Sequence, residues 1–285
     1  MSEAASFTTL IGADELAQRL DAPKLVIVDC RHDLADPELG LRAYADGHLP
    51  GAHFLHLDRD LSAPMTGTNG RHPLPDPAAL LARLAACGIG SDCQVVAYDD
   101  SGGMYAARLW WMLRWLGHHR VAVLDGGLRA WCGTAALSTE RPEPREARFD
   151  LAMRPARVVV DEVHARLGAS DMLLLDARSP DRFRGENETL DPVGGHVPGA
   201  RNRFFRDNLR EDGRFKAPGA LREDFARVLG TTPPEQVVHM CGSGVTACHN
   251  ALAMEVAGLP GSRLYAGSWS EWCSAPERPV ATAAD

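Results

Sequence analysis

The chain is written twice. Leu25-Val26-Ile27-Val28-Asp29-Cys30-Arg31 in the first half is answered by Leu173-Leu174-Leu175-Asp176-Ala177-Arg178 in the second, and His48-Leu49-Pro50-Gly51-Ala52 by His196-Val197-Pro198-Gly199-Ala200. Gln94-Val95-Val96 matches Gln236-Val237-Val238, and Gly126-Gly127-Leu128-Arg129-Ala130-Trp131 stands where Gly267-Ser268-Trp269-Ser270-Glu271-Trp272 stands later. A period this long means two domains of one fold rather than a solenoid of short repeats. The 285 residues allow it, at roughly 100–200 residues per domain.

Within each copy, short apolar runs alternate with amphipathic ones. The runs Leu25–Val28, Val95–Tyr98, Val121–Leu124, Leu173–Leu175, Val237–Met240 and Leu264–Tyr265 predict strands. Asp14–Leu20, Met104–Leu116, Asp161–Leu167, Leu221–Leu229 and Thr246–Ala257 predict helices. Continuous apolar strands separated by helices imply an α/β fold, each copy a mostly parallel sheet flanked by helices. Residues 138–157 are rich in Pro, Arg and Glu, which predicts a linker between an N-terminal domain (1–137) and a C-terminal one (158–285).

The chemistry concentrates at the end of one strand. Gln236-Val237-Val238-His239-Met240 runs into Cys241-Gly242-Ser243-Gly244-Val245-Thr246-Ala247, a glycine-bearing loop that opens a helix. In parallel sheets ligands bind at such strand ends. Loop N–H groups and the positive end of the helix would stabilise negative charge on the Cys241 sulfur, so the thiol is expected to ionise nearer neutrality. Aligning the halves drops Asp99 onto the Cys241 position and Asp100-Ser101-Gly102 onto Gly242-Ser243-Gly244. A carboxylate cannot do thiolate chemistry, so the first copy is expected to be silent. One active and one silent copy predict a site in the cleft between domains.

Composition excludes other classes. A net charge of −8 argues against nucleic-acid binding. No apolar run approaches the roughly 20 residues of a membrane helix. Met1 to Thr9 lacks the basic and apolar regions of a secretory signal, so the cytoplasm is the expected location. The seven cysteines include no C-x-x-C pair for zinc or dithiol work. Cys87 and Cys248 are expected to be buried, inert thiols, and the six tryptophans to be core or packing residues.

Together these residues resemble the tandem-domain rhodaneses, and among them the mercaptopyruvate sulfurtransferase type. The likeness is carried by the Cys241–Ala247 loop, the Gly267–Trp272 segment, both His-x-Pro-Gly-Ala turns and the paired Asp29–Arg31 and Asp176–Arg178. It implies two tandem rhodanese-like domains and sulfur transfer through a Cys241 persulfide. Loop N–H groups from Gly242 through Gly244, Val245, Thr246 and Ala247 would hold the persulfide anion. The donor would be 3-mercaptopyruvate, leaving as pyruvate; the acceptor would be a thiol, a thioredoxin-like protein or cyanide, with no cofactor or metal required.

The resemblance also assigns side chains. Ser243, His72 and Asp58 would form a proton relay, although Asp58 could equally be a helix N-cap before Leu61. Arg182 would bind the donor's carboxylate. A second arginine that animal relatives carry before the His-x-Pro-Gly turn has no counterpart in the acidic segment 186–192.

Three other readings are weighed. Thiosulfate enzymes of this family place basic residues after the cysteine, whereas Gly242 and Ser243 are neutral. A phosphatase of this fold needs an arginine closing the loop, where Ala247 stands. A non-catalytic scaffold would have no reason to keep Cys241, Ser243 and Thr246.

Overall fold

The computed structural model describes residues 6–143 and 147–282. Two compact units emerge, each centred on a five-stranded sheet in which every pairing is parallel. The first contains β1 (Leu10–Ile11), α1 (Ala13–Ala17), β2 (Leu25–Asp29), α2 (Leu39–Asp46), β3 (Ala52–Phe54), α3 (Pro77–Ala86), β4 (Gln94–Tyr98), α4 (Ala106–Trp115), β5 (Val121–Leu124) and α5 (Gly127–Trp131), with strand order β1-β5-β4-β2-β3. The second contains β6 (Arg157–Val158), α6 (Val160–Ala165), β7 (Leu173–Asp176), α7 (Pro180–Phe183), β8 (Arg201–Asn202), α8 (Pro218–Leu229), β9 (Val237–Met240), α9 (Thr246–Val256), β10 (Arg263–Tyr265) and α10 (Ser268–Trp272), with order β6-β10-β9-β7-β8. The two orders are the same, as duplication requires.

All six expected strands and all five expected helices form, with ends shifted by a few residues. The short edge strands β1, β3, β6 and β8 were not legible, because two or three residues carry no periodicity. Helices α2, α3, α5, α7 and α10 were also missed. α3 begins with Pro77 and is capped by Asp76, whose carboxylate accepts the N–H groups of Ala78 and Ala79 at 2.9 and 3.1 Å.

The central strands β4 and β9 are covered on both faces. Every residue of β9 is fully buried, and α9 buries a run from Ala247 to Met254. Tryptophans 131, 269 and 272 complete the two cores, as expected of packing residues.

The paired Asp-x-Arg ends are fastening points. Arg31 grips Asp29 through Nε and Nη2 and donates to the Gly47 carbonyl at 2.7 Å; Arg178 grips Asp176 the same way and donates to Gly195 at 2.7 Å. His48 stacks on Tyr44 and bonds its carbonyl, and His196 does the same with Phe183. These histidines hold turns.

In space the division is less simple than 1–137, 138–157 and 158–285. Much of the expected linker runs along the first unit: Ser138 pairs with His48, Ser91 N–H donates to Arg148, and Ala152 and Arg154 donate to Leu116 and Trp115. Backbone pairing of this kind needs no hydrophobic pattern, so composition did not reveal it. Gly117 makes it feasible, because a Cβ there would lie 2.5 Å from the Ala152 carbonyl oxygen. The first unit thus extends to Arg154. Two short segments cross the sequence boundary: Ala63–Leu74 belongs to the second unit and Glu211–Arg214 to the first.

Candidate active site

Cys241 follows the last residue of β9 and is nearly buried, at 2% exposure. Its Sγ accepts the Gly244 N–H at 3.1 Å and, more distantly, the Ser243 N–H at 3.5 Å. Gly244 must be glycine: its φ is +77°, and a Cβ would lie 2.2 Å from the Ala266 carbonyl oxygen. Val245, Thr246 and Ala247 then open α9, whose N-terminus presents the positive end of the helix toward the loop. Cys248, by contrast, donates its thiol to the Gly244 carbonyl inside α9.

The loop is clamped from the other side by the start of α10. Cys241 N–H donates to Ser268 Oγ at 3.0 Å, while the Cys241 and Gly242 carbonyls accept from Trp269 and Ser270 at 2.9 Å each. Ser268 is the one described non-glycine residue with positive φ, +54°. Such backbone costs about 1 kcal/mol or more, and its hydroxyl offsets this by accepting from Cys241 and donating to Tyr265.

The first copy shows the same construction without the thiol. Gly127 takes φ +56° where Ser268 has +54°, and Leu128 N–H donates to the Asp99 carbonyl as Trp269 does to Cys241. The Asp99 carboxylate accepts four N–H groups, from Ser101, Gly103, Tyr105 and Ala106, at 2.8–2.9 Å. The anion cradle persists there and is filled by the chain's own carboxylate. Burial pushes the Asp99 carboxyl up, and the four N–H donors oppose that shift.

His72 arrives on the segment Ala63–Leu74. Gly70 has φ +85° and packs so closely on Gly267 that a Cβ would lie 2.8 Å from its carbonyl oxygen, and Arg71 N–H donates to Ser270 Oγ at 3.0 Å. The docked segment places His72 Nδ1 2.7 Å from Ser243 Oγ, with both side chains buried. Two members of the expected relay are therefore together. Asp58 belongs to the first unit, where its Oδ2 lies 3.9 Å from His32 Nε2 and 4.0 Å from His56 Nδ1. No helix starts there: residues 57–60 form a turn, in which Asp60 Oδ2 accepts the His56 N–H at 2.8 Å.

Arg182, on α7, lies beside the loop as expected. A Cβ on Gly242 would stand 3.5 Å from Arg182 Nη2 and 2.8 Å from Arg71 Nη2. Arg182 is held by Glu188, which accepts from its Nε at 3.0 Å and its Nη2 at 2.8 Å. Arg71 is paired through Nη1 with Asp191, whose other oxygen is 3.6 Å from Arg182 Nη2. Arg71, Glu188, Asp191, Ser268 and Ser270 were missed from sequence; the acidic character of 186–192 was visible, but not that two of its carboxylates turn inward to hold arginines.

The profile of the rhodanese-like domain matches residues 12–134 and 159–275. The chain belongs to the rhodanese-like family. A Pseudomonas aeruginosa protein named as a probable 3-mercaptopyruvate sulfurtransferase is 51% identical, over 97% of this chain and 99% of its own. The thiosulfate sulfurtransferase of the same organism is 34% identical, over 98% and 99%. The solved 3-mercaptopyruvate sulfurtransferase of Leishmania major superimposes with a TM-score of 0.83 at 33% identity, over 95% of this chain and 75% of that one. Two rhodanese-like domains in tandem are thus present, and no helix among the described residues is long and apolar enough to cross a membrane.

Proposed function

We propose that this rhodanese-family protein is a sulfurtransferase that takes sulfur from 3-mercaptopyruvate. The observation that carries the reading is Cys241 Sγ, bonded by the Gly244 N–H, next to a Ser243 hydroxyl in hydrogen-bond contact with His72. The Cys241 thiolate attacks the thiol sulfur of the donor. The new S–S bond forms as the C–S bond breaks, and the electron pair leaves on carbon as the enolate of pyruvate. Ser243 gives its hydroxyl proton to that carbon and takes one from His72, so the products are pyruvate and a Cys241 persulfide.

In the second half a thiolate, a thioredoxin-like dithiol or cyanide attacks the outer sulfur and restores the Cys241 thiolate. The N–H groups of Gly242, Gly244, Val245, Thr246 and Ala247 stabilise the persulfide anion between the halves. Arg182 engages the donor's carboxylate, and Asp58 is the proposed third member of the relay; Asp58→Asn should lower kcat, and an unchanged kcat removes it from the relay. The residues need no cofactor or metal for these steps. The cytoplasm is our expected compartment, since all seven cysteines are free thiols.

Thiosulfate is the second reading, supported by the likeness to the Pseudomonas thiosulfate enzyme. The neutral Gly242 and Ser243, and the higher identity to the mercaptopyruvate-type relative of that organism, favour mercaptopyruvate. The test is kcat/KM for both donors with one thiol acceptor, on wild type and Cys241→Ser. A preference for mercaptopyruvate of about tenfold, roughly 1.4 kcal/mol, supports the reading. A preference for thiosulfate overturns the substrate assignment, and activity in Cys241→Ser overturns the mechanism.

A further inference from the structure

The duplication shows which residues the fold itself requires. Asp29, Arg31 and His48 recur as Asp176, Arg178 and His196, and hold the same turns in both units. Leu55 N–H donates to the Asp29 carbonyl as Arg203 N–H does to Asp176, which sets the copies in register past β3 and β8. In that register His32, His56 and Asp58 of the first unit stand where the second has Ser179, Phe204 and Arg206. The shared plan does not ask for them. We infer that His32, His56 and Asp58 form a binding site in the first unit for a divalent transition metal of the zinc class. The inference is independent of the transfer chemistry, with which it shares only Asp58.

Position and geometry carry it. β2 and β3 are parallel neighbours with Asp29 opposite Phe54, and His32 and His56 follow three and two residues further on. Both therefore leave the carboxyl ends of adjacent strands, where parallel sheets bind ligands. Each histidine is 4% exposed, whereas the Asp58 side chain is 40% exposed. One ligand atom from each of the three lies within 4.8 Å of the others. His32 Nε2 and His56 Nδ1 stand 3.9 and 4.0 Å from Asp58 Oδ2. Those separations are too long for hydrogen bonds and approach the roughly 3.3 Å between ligands around a tetrahedral ion with bonds of about 2.0–2.1 Å. Rotation of the exposed Asp58 side chain closes the set.

The hydrogen bonds of His56 suit a ligand. Its Nδ1 accepts the Asp58 N–H at 3.1 Å, so that nitrogen carries the lone pair and Nε2 carries the proton. Nε2 is buried without a hydrogen-bond partner, 3.8 Å from Glu38 Oε1. A metal on Nδ1 displaces the Asp58 N–H and makes the Nε2 proton a stronger donor toward Glu38. That is the carboxylate–histidine–metal arrangement by which imidazole ligands are oriented, with Glu38 as positioning residue. Two imidazoles and one carboxylate select zinc, cobalt or nickel over magnesium and calcium, which take oxygen ligands.

The experiment titrates the full-length protein, stripped of metal by a chelator, with Co2+ as a visible-absorbing probe and then with Zn2+ as competitor. One equivalent of Co2+ should bind with ligand-field bands and no thiolate charge-transfer band, and Zn2+ should displace it. His32→Gln and His56→Gln should each weaken binding by about 100-fold, and Glu38→Gln by about tenfold. Asp58→Asn, at an exposed position, should weaken it as well; this variant decides the matter if circular dichroism shows a histidine variant to be unfolded. Failure of Co2+ to bind overturns the inference. So does a thiolate band accompanying the single equivalent, since the metal would then sit on cysteine. Affinity unchanged in Asp58→Asn and in the folded histidine variants overturns it too.

Discussion

His72 Nδ1 and Ser243 Oγ are 2.7 Å apart although 171 residues separate them along the chain. The contact exists because Ala63–Leu74 is built into the second unit. If it carries the proton to the enolate, His72→Gln and Ser243→Ala should each lower kcat by about 100-fold, with KM for the donor changed little. The double variant should be no worse than the more damaged single one. Additive losses, measured under identical steady-state conditions, would show that the two act separately.

Ser268 answers a different question, how the nucleophile is held still. Its hydroxyl is the acceptor for the Cys241 N–H, and its positive φ is strained. Ser268→Ala keeps the strain and removes the acceptor, leaving a buried N–H unpaired at a cost of about 1–3 kcal/mol. Chemical denaturation should show that loss. Ser268→Gly should cost less, because the first copy takes the same backbone with Gly127. A larger loss for glycine than for alanine would contradict this account.

His239 predicts a pH dependence. It lies fully buried in β9, neither ring nitrogen has a hydrogen-bond partner, and burial pushes its pKa down from 6.5 to about 3. The folded protein therefore keeps the imidazole neutral where the unfolded chain takes up a proton. Its contribution to stability is intact above pH 6.5 and is lost as pH falls towards 3. Between pH 7 and pH 5 the loss should be roughly 2 kcal/mol. His239→Leu should melt higher than wild type, by about 3 °C or more, and should lose less on acidification. Parallel melting curves for the two proteins across that range would refute the assignment.

Asp99 bears on the silent copy. Four N–H groups depend on its carboxylate, so Asp99→Ala should destabilise the first unit by on the order of 4 kcal/mol. Calorimetry would register the change. An unaltered melting profile would mean that the cradle is satisfied some other way.

Much of this was legible beforehand. The duplication showed itself in side chains that hold turns and strand ends, such as His48 and His196, because identical local geometry needs identical residues. Cys241 was readable from its glycine-bearing strand-to-helix loop, whereas Ser243, His72 and Arg182 were singled out only through the family resemblance. Arg71 was not, since the sequence shows only that it precedes His72; its direction is set by Ser270 and Asp191, almost 200 and 120 positions away. The acidic residues Glu188 and Asp191 looked like a departure from the family pattern, and only their inward orientation makes them supports for arginines.

By itself the sequence determined two α/β copies of one plan and a thiol in one where the other has a carboxylate. Those features depend on residue type and local spacing, which a chain displays openly. The tertiary structure alone decided which residues surround that thiol: the strain at Ser268, the crossing of Ala63–Leu74 into the second unit, and the meeting of Arg71 with Arg182 over Gly242. Such contacts arise when distant backbone segments close on glycines too small to hold them apart, and no local pattern records them.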